Sequence, residues 1–299
     1  MNKVKVITDS CADVGKDLRD KYDFDYALMS ILWDGEEKPA SCDWDFYTAK
    51  EMYDAMRAGK RITTQQVSDP EFERVFGKYL EQGYDIVYVA CSSGLSGSYN
   101  LGQLVAKRLL EKYPNQQIIC VDPLMSCGGE ALITIEAAKA AANGLSVTEV
   151  AEVARKAAAK SMQFATVGDL TYLKRAGRVK ASTAFFGNLF GVKPILISNR
   201  AGENEAVKKA KGRKNSLDAI VDMLKNSIGG DEFPASEQTV FVVHADSIDD
   251  ANYLVEQVKE KINPKDIYVN WIGPCIGASV GPETVALYAF GDQYATLGE

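Results

Sequence analysis

Tyr88-Val89-Ala90-Cys91-Ser92-Ser93-Gly94-Leu95-Ser96-Gly97-Ser98-Tyr99-Asn100 carries an apolar run into a Ser/Gly turn and then into a helix-forming segment. The pattern predicts a strand over 86–90 and a helix over 99–112, with the turn at the carboxyl end of the strand. Such a turn seats an anion. Ser93, Ser96 and Ser98 offer hydroxyls, and Gly94 and Gly97 remove steric bulk. The first N–H groups of the helix lack intrahelical partners, so a carboxylate or phosphate fits there. Two other readings stay open. Ser96 or Ser98 could be an ordinary helix cap. Ser96 could also be a nucleophile, but that elbow needs G-x-S-x-G, and Gly94-Leu95-Ser96-Gly97-Ser98 ends in Ser.

Outward from this turn, strand and helix signals alternate. Strands are expected over 4–8 and 118–121. Helices are expected from the 9–13 turn to about Lys21, over 129–142 and over 146–162, the last opened by a Ser146/Glu149 capping box. The alternation predicts an α/β protein whose N-terminal part, residues 1–160, is a parallel sheet with helices on both faces. Ligands of such sheets sit at the carboxyl ends of strands, so the polar loops 9–10, 92–98 and 122–126 are candidates to share one cleft. The polar stretch 61–70 lies between helical segments and is expected to reach the same place. Beyond residue 160 the pattern changes. Strands are expected over 164–167, 193–198, 239–244, 267–271 and 285–290, and helices over 170–176, 216–228 and 249–262. This predicts an α+β C-terminal domain, residues 161–299.

The 299-residue chain carries 34 basic and 41 acidic side chains, a net charge of −7. That balance argues against a nucleic-acid partner and against docking on an anionic membrane. No segment approaches eighteen uninterrupted apolar residues, and the N-terminus lacks a secretory apolar run, so a cytoplasmic protein with no stable membrane insertion is expected. Six cysteines without a C-x-x-C spacing, and the single His244, leave no material for an ordinary zinc site; reduced, buried thiols are expected and neither metal nor cofactor.

A series of motifs runs along almost the whole chain: Ile7-Thr8-Asp9-Ser10 with Ala12-Asp13, Thr63-Thr64-Gln65, Ser92-Ser93-Gly94-Leu95-Ser96-Gly97, and Leu173-Lys174-Arg175-Ala176-Gly177-Arg178-Val179. Lys193-Pro194-Ile195-Leu196, Lys211-Gly212-Arg213, His244-Ala245-Asp246, Ile272-Gly273-Pro274, Ile276-Gly277 and Val280-Gly281-Pro282 follow in order. Taken together, these motifs resemble the DegV family of bacterial fatty-acid-binding proteins. The resemblance implies two domains that enclose one long-chain fatty acid, such as palmitate, stearate or oleate, in a tunnel between them. It also implies a non-catalytic role: presentation of the carboxylate to an ATP-dependent fatty-acid kinase that makes an acyl phosphate for phospholipid synthesis. By resemblance, Thr63, Thr64, Ser93 and Ser96 map to carboxylate-binding positions, and Arg178 and Arg213 to contacts with the kinase or the phosphoryl group. Phe185, Phe186, Leu189, Phe190 and Ile276 supply apolar material for the tail, although ordinary core packing would use them equally well.

One departure stands out. The family commonly has Thr-His before Val-Gly-Pro, whereas this chain has Ala278-Ser279. Ser279 can donate a hydrogen bond to a carboxylate but cannot become cationic. His244 ends a strand in a His-Ala-Asp turn and is expected to be structural. The competing reading is a serine-dependent hydrolase or acyltransferase using Ser96 with His244 and Asp246 or Asp122. A phosphoryl-transfer enzyme in its own right lacks G-x-x-x-x-G-K-[ST].

Overall fold

The computed structural model describes residues 2–182, 185 and 191–292. In chain order the first elements are β1 (Val4–Asp9), α1 (Lys16–Tyr22), β2 (Phe24–Ala27), β3 (Met29–Trp33), β4 (Glu36–Ala40), α2 (Ala49–Arg57) and β5 (Ile62–Gln65). Next are α3 (Asp69–Leu80), β6 (Asp85–Val89), α4 (Ser98–Lys112), β7 (Ile118–Val121), α5 (Cys127–Ala142) and α6 (Val147–Lys160). Then come β8 (Ser161–Thr166), α7 (Thr171–Ala176), β9 (Val179–Lys180), β10 (Val192–Ser198) and β11 (Asn204–Lys211). The last are α8 (Arg213–Ser227), β12 (Thr239–His244), α9 (Ile248–Lys261), β13 (Asp266–Trp271), α10 (Pro274–Val280) and β14 (Val285–Phe290).

The apolar runs of β1 and β6 pair as parallel neighbours, with Val6 opposite both Phe24 and Val87, in a sheet ordered β2-β1-β6-β7. Such strands read as continuous apolar runs because helices cover both faces. Here α3 and α4 cover one face, and α5 and α6 the other. The strand order reverses between β1 and β6, so the crevice opens where Asp9-Ser10 and the Ser/Gly turn begin. A small antiparallel sheet, β4-β3-β5, is inserted between β2 and α3 and sets Thr63 and Thr64 opposite Leu32 and Ile31.

All strands from β8 onward form one mixed sheet, ordered β13-β12-β14-β8-β10-β11-β9. Alternation divides its side chains. Met162, Phe164, Ile195, Ile197, Leu287 and Val285 face α8 and α9, whose Leu217, Ile220, Leu224 and Leu254 complete that core. The opposite face meets α5, which also packs on β1 and β2. Twelve of the sixteen α5 residues are buried, because the helix is covered by two sheets at once.

Several elements differ from the sequence expectation. The helix expected over 146–162 keeps its capping box but ends at Lys160; Met162 instead pairs with Ala289 in the sheet, and this long-range pairing overrides the Ala-rich helical signal. The 61–70 stretch, expected to be an irregular segment, contains β5, whose β-branched Ile62, Thr63 and Thr64 suit a strand. The helical segments expected on either side of 61–70 are α2 and α3, whereas strands β2 to β4, β9 and β11 and helix α10 were not anticipated. Phe186, Leu189 and Phe190 lie outside the described residues.

Close packing around α5 is directly testable. A Cβ on Gly128 would lie 2.7 Å from the buried Tyr288 ring and 3.2 Å from the Phe241 Cβ, so one of them must move. Gly128→Ala is expected to lower stability by about 1–3 kcal/mol, measured by urea unfolding. An unchanged midpoint would show that α5 has room to shift.

Candidate functional site

Asp9 ties the crevice together. Its carboxylate accepts the N–H groups of Cys11 and Cys91, both at 2.9 Å, and the Tyr88 hydroxyl at 2.7 Å, which holds the β1 and β6 turns side by side. The Ser/Gly turn is braced in its turn. Ser92 Oγ donates to the Gly202 carbonyl at 2.7 Å and accepts the Gly94 N–H. Ser96 Oγ accepts the Ser98 N–H at 3.2 Å and shares a hydrogen bond with Ser98 Oγ, which also accepts the Val67 N–H. Ser96 therefore caps locally and still faces a cavity. The cap and ligand readings of this turn are compatible.

That cavity measures about 270 Å³ and lies between the parallel sheet's turns and the mixed sheet. Thr64, Ser96, Arg178, Ile276 and Ser279 line it, as do Ser126, Gln163, Asn204 and Tyr288. Cys11, Cys91, Cys275 and Met29 add a sulfur-rich patch to the wall. A second cavity of about 180 Å³ shares Thr64, Arg178 and Ser279 with it and adds Thr63, Lys60, Arg61 and Arg175. Arg178 is held at the junction, its Nε donating to the Leu95 carbonyl at 2.8 Å and Nη1 to the Ala176 carbonyl at 2.7 Å.

The structure does not gather every residue singled out above. Ser93 is exposed, and its N–H donates to Asp122 instead of facing the cavity. Arg213 lines neither cavity; it forks onto Asp250 and the Glu283 carbonyl. Phe185 is half-buried with Lys209 over its ring and is not a wall residue. Conversely, Gln163, Asn204 and Tyr288 were not anticipated, whereas Ser126 ends the 122–126 loop expected at the cleft. The period-two pattern Met162-Gln163-Phe164-Ala165 was the available signal, since it sends Gln163 and Ala165 to the same face.

No base attends Ser96 among the described residues. His244 is 2% exposed, its Nδ1 accepts the Ser247 N–H at 3.3 Å, and its ring lies 4.5 Å from that of Trp271; burial holds its pKa below the usual value. Asp122 accepts backbone N–H groups from Ser93 and Leu124, and Asp246 pairs with Arg57. The serine-hydrolase arrangement is not assembled. Among the described residues no cluster of three or more His, Cys, Asp or Glu converges to hold a metal ion, and no helix is long and apolar enough to cross a membrane.

Behind the cavity wall lie three buried acids. Burial raises the pKa of Asp9 against the pull of its donors. Burial, then the charge of Asp9, pushes Glu130 well up; its Oε1 accepts the Thr8 hydroxyl at 2.7 Å. Asp13 is 1% exposed and neither carboxyl oxygen accepts a well-formed hydrogen bond. Burial pushes it up to about 8, with the nearby Cys127 thiol and Gly273 N–H opposing the shift.

A family model described as uncharacterised protein, DegV family, matches residues 3–292. A DegV domain-containing protein of Clostridium perfringens is 36% identical over 98% of this chain and 99% of its own. A DegV lipid-binding protein from Thermotoga maritima superposes with a TM-score of 0.84 at 26% identity, covering 97% of this chain and 99% of its own. A second T. maritima protein, whose structure revealed a fatty acid binding function, gives 0.82 at 26% identity, covering 97% and 100%.

The buried Asp13 sets a pH slope. In the unfolded chain it ionises near 3.8, whereas in the fold it keeps its proton up to about 8. Its stabilising contribution is therefore complete below pH 4 and lost as pH rises toward 8. Asp13→Asn, a near-isosteric neutral replacement, should flatten this loss, which amounts to roughly a few kcal/mol, in urea titrations at pH 5 and 8. Equal slopes in both proteins would show that Asp13 ionises normally.

Proposed function

The chain belongs to the DegV family, and from that premise we propose that it encloses one long-chain fatty acid, such as palmitate, stearate or oleate, between its halves, residues 1–160 and 161–299. The observation that carries this is the cavity itself, which has small and apolar floor residues, Ala165, Leu196 and Ala286, and a hydroxyl-bearing end at Thr64, Ser96 and Ser279. The lipid- and fatty-acid-binding T. maritima neighbours support the same cargo. Burying about fifteen methylenes at roughly 0.8 kcal/mol each gives on the order of 12 kcal/mol before association costs. The tail holds the ligand, and the head orients it.

The carboxylate takes hydroxyl donors from Thr64, Ser96 and Ser279, with the start of α4 nearby; bonds to an ionised oxygen are the stronger kind. Thr63 belongs to the adjoining cavity and supports the head from that side. That cavity also brings Lys60, Arg61, Arg175 and Arg178 to the mouth of a protein whose net charge is −7. Guanidinium groups suit phosphoryl oxygens. We therefore read the protein as a carrier that presents the carboxylate to an ATP-dependent fatty-acid kinase and does not itself catalyse the transfer.

Native mass spectrometry of detergent-free protein, followed by organic extraction, tests the cargo. A stoichiometric fatty acid is expected. Each bond to the ionised carboxylate is worth about 1.5–3 kcal/mol, so Thr64→Ala with Ser96→Ala should bind at least roughly a hundredfold more weakly. Protein that is empty and refuses added fatty acids would sink the reading. Labelling of Ser96 by a fluorophosphonate would point to the hydrolase alternative instead.

Restoring the imidazole gives a separate check. Ser279→His should tighten fatty-acid binding at pH 6 by about three- to tenfold and less at pH 8, because only the cation adds attraction. A pH-independent affinity would show that position 279 does not meet the head group.

A further inference from the structure

We propose that the inner end of the cavity is a second polar subsite, which binds an oxygen carried mid-chain or beyond on the acyl tail, so that the favoured cargo is an oxygenated long-chain acid. This rests on the fatty-acid reading above and adds a specificity to it.

The floor of the cavity is built in rows across the mixed sheet. One row is apolar: Ala286 is opposite Ala165, Ala165 opposite Leu196, and Leu196 opposite Ala206. The next row is polar. Tyr288 is opposite Gln163, and Asn204 lies opposite Ser198, whose Oγ turns to the Leu124 carbonyl and which is not part of the cavity lining. Gln163 Nε2 donates to Asn204 Oδ1 at 2.9 Å, and the Tyr288 hydroxyl donates to Gln163 Oε1 at 3.3 Å. Tyr288 and Gln163 are each 3% exposed, and both line the cavity with Asn204. The head-group end is marked by Thr284, which bonds the Val280 carbonyl next to Ser279. From Thr284, just before β14, to Tyr288 is four residues along the chain, roughly 13 Å when extended, a span that reaches well along an acyl chain.

Ser126 meets this row from the other wall. It is 4% exposed, lines the cavity and stands at the N-terminus of the sixteen-residue α5, yet makes no cap bond to the helix. Its hydroxyl has no hydrogen-bond partner among the described residues, while the ordinary role of a serine there is to cap. The helix start adds N–H donors and a positive dipole end. The Tyr288, Gln163 and Asn204 donors are taken up within the row and by the Arg178 carbonyl, so a pure hydrocarbon tail would leave the Ser126 hydroxyl alone without an acceptor, and covering it costs free energy unless something accepts the bond. A hydroxyl or keto oxygen on the tail accepts from Ser126, and a hydroxyl also returns a proton to the Tyr288 oxygen.

The test uses the full chain stripped of lipid, titrated calorimetrically with stearate and with a hydroxystearate that carries its hydroxyl mid-chain. One satisfied buried bond should make the hydroxy acid bind about three- to tenfold tighter. The ratio of the two affinities should fall toward one in Ser126→Ala and decrease in Tyr288→Phe, which keeps the ring. Equal or weaker binding of the hydroxy acid to the unaltered chain, or a ratio indifferent to both substitutions, overturns the subsite and leaves the row hydrated by water. If neither acid binds, the fatty-acid reading fails with it; if stearate alone behaves as expected, only the subsite fails.

Discussion

Helix α5 must satisfy two sheets at the same time, and the remaining architecture follows from that constraint. Its sequence, CGGEALITIEAAKAAA, is apolar on nearly every side because only Glu136, Lys139 and the last two alanines reach toward solvent. Gly128 and Gly129 admit Tyr288 and Met125 at its start, and alanines admit the strands farther along. Thinness is the useful property. Larger side chains would hold the parallel and mixed sheets farther apart and change the gap beyond the N-terminus of α5, where the cavity opens. The left-handed backbone at Cys127, φ +55°, turns the chain sharply into the helix at this point.

The same constraint explains the buried acids. Glu130 projects from α5 and meets Thr8 of β1, while Asp9, at the end of that strand, binds the backbone of both turns at the crevice. An apolar pair would make a steadier junction, since buried carboxyls are costly unless protonated or well bonded. What Asp9 supplies is position: three donors from two different turns converge on one carboxylate, so the wall of the cavity is held by directional bonds as well as by packing. Burial favours the neutral forms of Glu130 and Asp13, and the nearness of Asp9 adds to the shift.

Much of this was legible in sequence, for reasons that differ by element. Strands β7, β12 and β14 were read with their observed ends because each is an apolar run between turn residues. The β3-β4-β5 sheet was not, since Glu36, Glu37 and Lys38 give it a solvated look and its pairing is set by partners distant in sequence. The hydroxyl end of the cavity was visible because Ser96 and Thr64 sit in short polar stretches beside structured runs. The polar row was not legible as a unit, although the period-two pattern at 162–165 marked Gln163. Gln163, Asn204 and Tyr288 come together only across separations of 41 and 125 residues, and a single polar residue in a strand ordinarily signals a solvent-facing position. Arg213 shows the converse: its motif is local, but the fold holds it away from both cavities, with Nε and Nη2 on Asp250 and the Glu283 carbonyl.

The serine at 279 bears on how the two ends of the cavity divide their work. A cationic imidazole would attract any anion at the mouth and make head-group affinity depend on pH. In the proposed head-group site, neutral hydroxyls from Thr64, Ser96 and Ser279 offer direction without net charge, so positive charge near the head falls to Lys60, Arg61, Arg175 and Arg178 of the adjoining cavity. Arg178 is tethered by two backbone carbonyls and is exposed on its outer side. A site built this way grips the carboxylate less tightly and leaves more of the discrimination to the tail, which makes the chemistry of the inner wall the stronger determinant of which acid is carried.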